Sequence, residues 1–315
     1  MTDGIRDASF FSFSGYEDYE RIILGIPELT DLPAEVLSIG KSVRGRIIYC
    51  LRIGEDSPAK RGVLYLSIVH SMEFIGGDLS LAIIRWFLDK KNKEESLRII
   101  ARCNAYFIPV VNPDGYQRAV DKRGKPGIFF VRKNAAGVDL NRNFPVGFSR
   151  IGFNPAVSSG LRFMPVYRGP MPFSEPETRA IKNFVESISL RASISFHSPG
   201  RYIGYPYCYK KSRCPDRDEL HRLAMAMRAQ QPYFKYRAGQ EYNYYPTTGD
   251  LDDWLYEEFG VFAFIMEIGR VGFRFNDPST WLSPFAWCNP PDVEREIENN
   301  LPAALYLARW AAGIG

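Results

Sequence analysis

The chain has 315 residues, 45% of them apolar, and its 40 basic and 36 acidic side chains leave a net charge of +4. That length can bury a sizeable core. The scattered charge argues against a nucleic-acid stripe or an acidic disordered arm, and no run of 18 or more apolar residues is present to span a bilayer.

In chain order, the N-terminal Met1–Asp7 segment lacks the basic and apolar regions of a secretory signal. The chain therefore reads as cytoplasmic, or as the trimmed form of a secreted protein. Apolar, β-rich runs at Arg46–Ile53, Gly62–Val69, Ala105–Val111 and Ala192–Phe196 predict strands, several of them continuous enough for a sheet covered on both faces. Helical spacing falls between them at Leu79–Asp89, Glu94–Arg102 and Ser174–Ser187, the last with Ser174 as expected N-cap and Pro176 in the first turn. Further helices are expected over Arg217–Gln230 and Asp292–Ala312. Such alternation predicts an α/β fold with a mixed or parallel sheet between helical layers. With no repeat, low-complexity tract or linker in view, residues 1–315 read as one domain.

Five cysteines (Cys50, Cys103, Cys208, Cys214 and Cys288) are too few and too odd in number for a disulfide scaffold. Reduced, buried thiols are expected, although Cys208 and Cys214 are near enough in sequence to pair in an oxidising compartment.

Chemistry concentrates at the histidines, of which there are three. His70 follows one predicted strand, His197 follows another, and the carboxyl edge of an open α/β sheet is where ligands usually bind. His70, Glu73 and His197 together could supply the three His and Glu donors that a catalytic zinc commonly takes. Taken singly, a Glu three residues after a His is a weak signal and His197 reads rather as a hydrogen-bonded core histidine, while His221 sits in a helical stretch where it carries no chemistry. A serine hydrolase is disfavoured because no Gly-x-Ser-x-Gly elbow is present. Gly40-Lys-Ser42 has Glu35 where a phosphate-binding loop needs glycine.

A set of ordered segments goes further: Ile39–Arg46, His70-Ser-Met-Glu73, Asn112-Pro-Asp-Gly-Tyr116, Gly137-Val-Asp-Leu-Asn-Arg-Asn-Phe144, Ser174–Glu177, Ser195–Ser198, Tyr205–Tyr207, Asp253–Tyr256 and Phe264–Gly269. Together they resemble the zinc carboxypeptidases of the M14, carboxypeptidase A-like, type over roughly residues 37 to 270. The resemblance implies a three-layer αβα sandwich around a mixed, twisted sheet of about eight strands. It implies one zinc on His70, Glu73 and His197, with Asp139 orienting the first histidine and Glu267 as general base. It also implies Arg132 beside the developing oxyanion, Asn141 and Arg142 for a terminal carboxylate, and Tyr245 as the residue that closes over substrate. Lys133 is the neighbouring cation that Arg132 must be told apart from.

Aligning backward from Trp254 puts Asp252 at the floor of the family's specificity pocket, which points to a substrate side chain with a cation. Asp250 is a second acid there, or simply a turn residue. Two departures matter: Met72 replaces the Arg of the digestive-type His-Ser-Arg-Glu, and the chain has no room for their N-terminal propeptide. These features, with Phe196–Gly200 and Cys288-Asn-Pro-Pro, are similar to bacterial γ-D-glutamyl-diamino acid peptidases. The expectation is a zinc-dependent carboxypeptidase acting on peptides that end in Lys, Arg or diaminopimelate. The alternatives are a cell-wall γ-D-glutamyl-diaminopimelate peptidase and, in another class, a non-catalytic pseudoenzyme that only holds peptide tails. No nucleic-acid partner is expected, and the sequence is silent on oligomeric state.

Overall fold

A computed structural model describes residues 5, 7–55, 57, 59–123, 125, 131–149 and 157–314. Its centre is one eight-stranded mixed sheet. In chain order the strands are β1 (Ala34–Lys41), β2 (Ile47–Ile53), β3 (Gly62–Leu66), β4 (Ala105–Ile108), β5 (Leu190–His197), β6 (Tyr202–Tyr205), β7 (Arg237–Gln240) and β8 (Phe262–Glu267). They lie side by side as β1-β2-β4-β3-β5-β8-β6-β7. The inner strands β4, β3, β5 and β8 run parallel, so their carboxyl ends share one edge. β3 and β4 are buried along their whole length, as their unbroken apolar runs require.

The longer helices are α1 (Tyr16–Gly25), α2 (Phe74–Leu88), α3 (Lys93–Ile100), α4 (Pro113–Lys122), α5 (Pro176–Ser187), α6 (Arg217–Gln230), α7 (Leu251–Phe259), α8 (Pro284–Cys288) and α9 (Val293–Ala311). Neighbouring side chains on β5 show that the sheet is covered twice. Phe196 stacks on Tyr65, whose hydroxyl donates to the Ala304 carbonyl of α9 at 2.9 Å. Ser195, pointing the other way, donates to Asp252 of α7 at 2.6 Å. Alternation along a strand therefore puts α9 and α7 on opposite faces, and the α/β sandwich expected from the sequence is present.

The differences from the sequence reading have local causes. α2 begins at Phe74, five residues earlier than expected. Its Gly76-Gly77 pair weakens helical propensity yet is needed here: a Cβ on Gly76 would press on the Phe196 backbone, and one on Gly77 on the Phe10 ring. β3 and β4 stop at Leu66 and Ile108, short of Val69 and Val111, because the chain turns at the sheet edge. Ile68 in that turn adopts φ 47°, a costly conformation for a β-branched residue. α5 takes Glu175 rather than Ser174 as N-cap; the Ser174 hydroxyl bonds to Glu175 Oε1 instead, at 2.8 Å. All five cysteines are free, including Cys208 and Cys214. Among the described residues, no helix is long and apolar enough to cross a membrane.

Candidate active site

Two chain segments meet at the carboxyl edge of the parallel strands. The turn after β3 brings His70 and, as N-cap of α2, Glu73; His197 ends β5. His70 Nδ1 lies 2.9 Å from Glu73 Oε1 and 3.0 Å from His197 Nδ1, which is itself 3.1 Å from Glu73 Oε2. Two imidazole nitrogens facing each other at that distance cannot satisfy one another without a shared proton, whereas two nitrogens and a carboxylate converging on one point are the donor set a divalent cation takes. Chemistry and geometry both fit zinc.

Further contacts hold the trio in place. Asp139, N-cap of the short turn Leu140–Arg142, faces His70 Nε2 at 3.2 Å through Oδ1 and accepts from Arg132 Nε at 2.8 Å through Oδ2. Ser71 donates to the Val131 carbonyl, tying the ligand turn to the Arg132 segment. Asn289 donates to the Met72 carbonyl at 2.7 Å and accepts from the Ile75 amide, so the Cys288-Asn-Pro-Pro segment clamps the same turn. Lys133, the neighbouring cation, donates instead to the carbonyls of Arg162 and Met164. His221 lies on α6 against the Tyr205 hydroxyl, away from the trio.

Electrostatics divide the site. Burial alone would raise Glu73, but the charge of His70 and hydrogen bonds from both imidazoles bring it down to about 2. Asp139 is likewise penalised by burial and held well below the usual carboxylate range by Arg132 and Arg142. Glu267, opposite His197 in the β5–β8 register, goes the other way. Burial first and the Glu73 charge second push it to about 8, against the pull of Arg132 and Arg142.

A cavity of about 420 Å³ opens beside the trio, lined among others by Arg132, Asn141, Arg142, Glu241, Tyr245, Asp250 and Glu267. A larger one, about 610 Å³, lies by Ile5, Leu29 and Arg85 and holds no metal-ligating cluster among the described residues. Arg142 is almost wholly buried. Its Nε and Nη1 donate to the carbonyls of Val157 and Asn141, while Nη2 has no partner among the described residues. Tyr245 is partly exposed, its ring centroid 5.9 Å from the Arg142 guanidinium carbon. Asn141 bridges to the start of α7, donating to Asp250 and accepting from the Leu251 amide.

Asp252 is buried, with Oδ2 taken by Ser195 and Oδ1 unpartnered, but it is not among the residues lining the cavity. The acids that do line it on that side are Asp250 and Glu241. Glu241 escaped the sequence reading because it belongs to no family segment and lies in a three-residue turn, Glu241–Asn243, with no periodic pattern. A signal was nevertheless present: an acid four residues before Tyr245, in a run that must pass the sheet edge.

Residues 29–287 match the peptidase M14 family model described as zinc carboxypeptidase. The chain is similar to carboxypeptidase B of Canis lupus familiaris, 29% identical over 96% of this chain and 72% of that protein. It is also similar to mast cell carboxypeptidase A of Rattus norvegicus, 31% identical over 87% of this chain and 68% of that protein. Among solved structures, carboxypeptidase A from Helicoverpa armigera superposes with a TM-score of 0.78 at 25% identity, covering 97% of this chain and 75% of that one.

Proposed function

Because the chain belongs to the zinc carboxypeptidase family and is thus a metallopeptidase by descent, we propose that it removes the C-terminal residue of peptides whose last side chain carries a cation. The observation that supports this reading is one cavity in which the His70, Glu73 and His197 donors, the unpaired Arg142 Nη2 and the acids Glu241 and Asp250 all converge.

One zinc would be held by His70, Glu73 and His197. When bound, zinc polarises the scissile carbonyl and makes a water acidic enough to attack near neutral pH. Glu267, across from His197 on the neighbouring strand, takes the proton of the attacking water on its carboxylate and delivers it to the departing amine. The Arg132 guanidinium is fixed by Asp139, and its charge is secured against burial by Asp139 and Glu73. It stabilises the negative charge that grows on the carbonyl oxygen. Arg142 offers its free Nη2 to the terminal carboxylate, a charge-assisted bond, with Asn141 beside it and Tyr245 closing the cavity mouth. Because the chain's own residues provide water attack, proton transfer and carboxylate recognition, no covalent acyl-enzyme is required.

Mass spectrometry of products from a peptide library, with and without a chelator, tests this reading. The expected result is chelator-sensitive loss of single residues from the C-terminus, foremost Lys and Arg. Cleavage inside chains, or equal cleavage of amidated and free-carboxylate peptides, would refute exopeptidase action. A zinc-loaded protein that binds such tails and cuts none would make it the tail-holding pseudoenzyme.

A further inference from the structure

Away from the metal trio the cavity is lined by Glu241 and Asp250, with Asp252 and Asp253 near enough to act on Glu241, and the hydrogen bonds of these four carboxylates set them apart from one another. Asp250, N-cap of α7, spends Oδ1 on the amides of Asp252 and Asp253, and Oδ2 receives Asn141. Asp253 accepts from the amides of Cys208 and Tyr209 with both oxygens. These two acids, which with Cys208 form the second cluster of potential metal donors, are thus occupied as a helix cap and a loop anchor. Two oxygens are left over: Glu241 Oε2 and Asp252 Oδ1 are buried and have no hydrogen-bond partner among the described residues. Glu241 is 2% exposed and lines the cavity.

Room for Glu241 is made by the backbone. Gly204 of β6 sits directly against it: a Cβ there would overlap Glu241 Oε2 and would also stand 2.6 Å from Ile265 Cγ2. Besides burial, the strongest influences on Glu241 are four other carboxylates, Glu267, Asp250, Asp252 and Asp253. A buried carboxylate without a partner is costly, and one in such company is costlier still unless a cation arrives from outside.

We infer that Glu241 determines specificity for the last side chain of the substrate. Its unpaired oxygen, backed by Asp250 and Asp252, receives a lone cation such as the lysine ammonium or the arginine guanidinium. The same wall turns away a side chain that carries a carboxylate next to its ammonium. Diaminopimelate ends in that pair of groups on one carbon, so seating its ammonium brings its carboxylate among the acids, and like charges held close in a poorly solvated cavity repel strongly. The inference rests on the carboxypeptidase reading above and narrows it to lysine and arginine.

The test uses the zinc-loaded full chain and N-acylated dipeptides ending in Arg, Lys, diaminopimelate or Leu. It adds calorimetric binding of the free products L-arginine, L-lysine, diaminopimelate and L-leucine. In the wild type, Lys and Arg should exceed diaminopimelate in both kcat/KM and affinity. Glu241→Gln should lower the Arg-to-Leu ratio of kcat/KM by about 10²-fold, the scale for losing one partner of a buried charge pair, with Glu241→Asp in between. Gly204→Ala, which displaces the Glu241 carboxylate without removing it, should lower the same ratio.

An unchanged ratio in Glu241→Gln, or diaminopimelate handled as well as lysine by the wild type, overturns the inference and leaves the carboxypeptidase reading standing. If a variant fails to fold, the wild-type comparison can still overturn the inference. Failure of the zinc-loaded wild type to release any last residue overturns the carboxypeptidase reading itself, and this inference with it.

Discussion

Two groups of carboxylates in the site are buried to the same degree and behave in opposite ways. Glu73 and Asp139 are 3% and 0% exposed, and both are held below the ordinary carboxylate range. Glu241, Asp252 and Asp253 are 2%, 1% and 0% exposed, and all three are pushed above it. Burial penalises every one of them. What differs is company: the first group faces His70, His197 and Arg132 within the chain, while the second faces mainly its own kind and a few amides. A buried acid that meets a counter-charge on folding has its ionised form favoured in the native state, whereas one without a partner has it disfavoured, and such a perturbed acid in a cleft is a candidate for binding something from outside. Glu267 stands between the two, raised to about 8 by burial and by Glu73 while no cation sits on the trio; in the proposed role of general base, a bound divalent cation would draw it back toward the ionised form.

Removing the proposed proton acceptor between the groups has the largest expected effect. Glu267→Gln should leave metal content unchanged and lower kcat by about 10²–10⁴, the range for loss of a general base; unaltered turnover in a metal-replete variant would remove Glu267 from the mechanism. Arg142→Ala deletes the free guanidinium nitrogen and should cost roughly 2–3 kcal/mol in transition-state binding, about 30- to 150-fold in kcat/KM. That loss should fall on free-carboxylate peptides, and equal losses on amidated peptides would count against the role.

The contrast is sharpest where one substitution type should have opposite consequences. Asp139→Asn takes charge from the paired group, so zinc affinity measured by chelator competition should fall about 10- to 100-fold, and the apoprotein should be less stable at pH 7. A depressed acid stabilises above its unfolded value and loses that contribution as pH falls through its folded one, so this penalty should shrink below pH 4. Asp252→Asn takes charge from the unpaired group. A raised acid favours the native state only while protonated, below its ordinary value of 3.8, and loses that advantage as pH rises. The variant should therefore melt a few degrees above the wild type at pH 8, with the gap closing toward pH 4. A lower Tm at pH 8 would mean that Asp252 is paired in solution.

The local parts of this site were legible in the chain. His70 and Glu73 are three residues apart at the end of an apolar run, Asp139, Asn141 and Arg142 share one short stretch, and Glu267 closes another apolar run. The strand patterns placed His70 and His197 at the carboxyl edge of a sheet, the resemblance to the zinc carboxypeptidases brought in the other two stretches, and α6 follows its predicted range from Arg217 to Gln230. Less legible were elements whose reasons lie elsewhere in the fold, such as the start of α2 over a glycine pair that only Phe196 and Phe10 explain.

By itself, then, the amino-acid order determined the alternation of strands and helices, the donor types for a divalent ion and their order along the chain, since these depend on neighbours a few residues away. Tertiary structure alone decided that Asp250 and Asp253 would be used up by amides, that Asp252 would give one oxygen to Ser195, and that Glu241 would be tucked against Gly204 with one oxygen unpaired. Those outcomes turn on the registers of β6, β7 and β8 and on the docking of α7. Whether a carboxylate is a partner or a vacancy for one is set by the charges and dipoles within a few ångströms, and packing brings those together from stretches far apart in sequence.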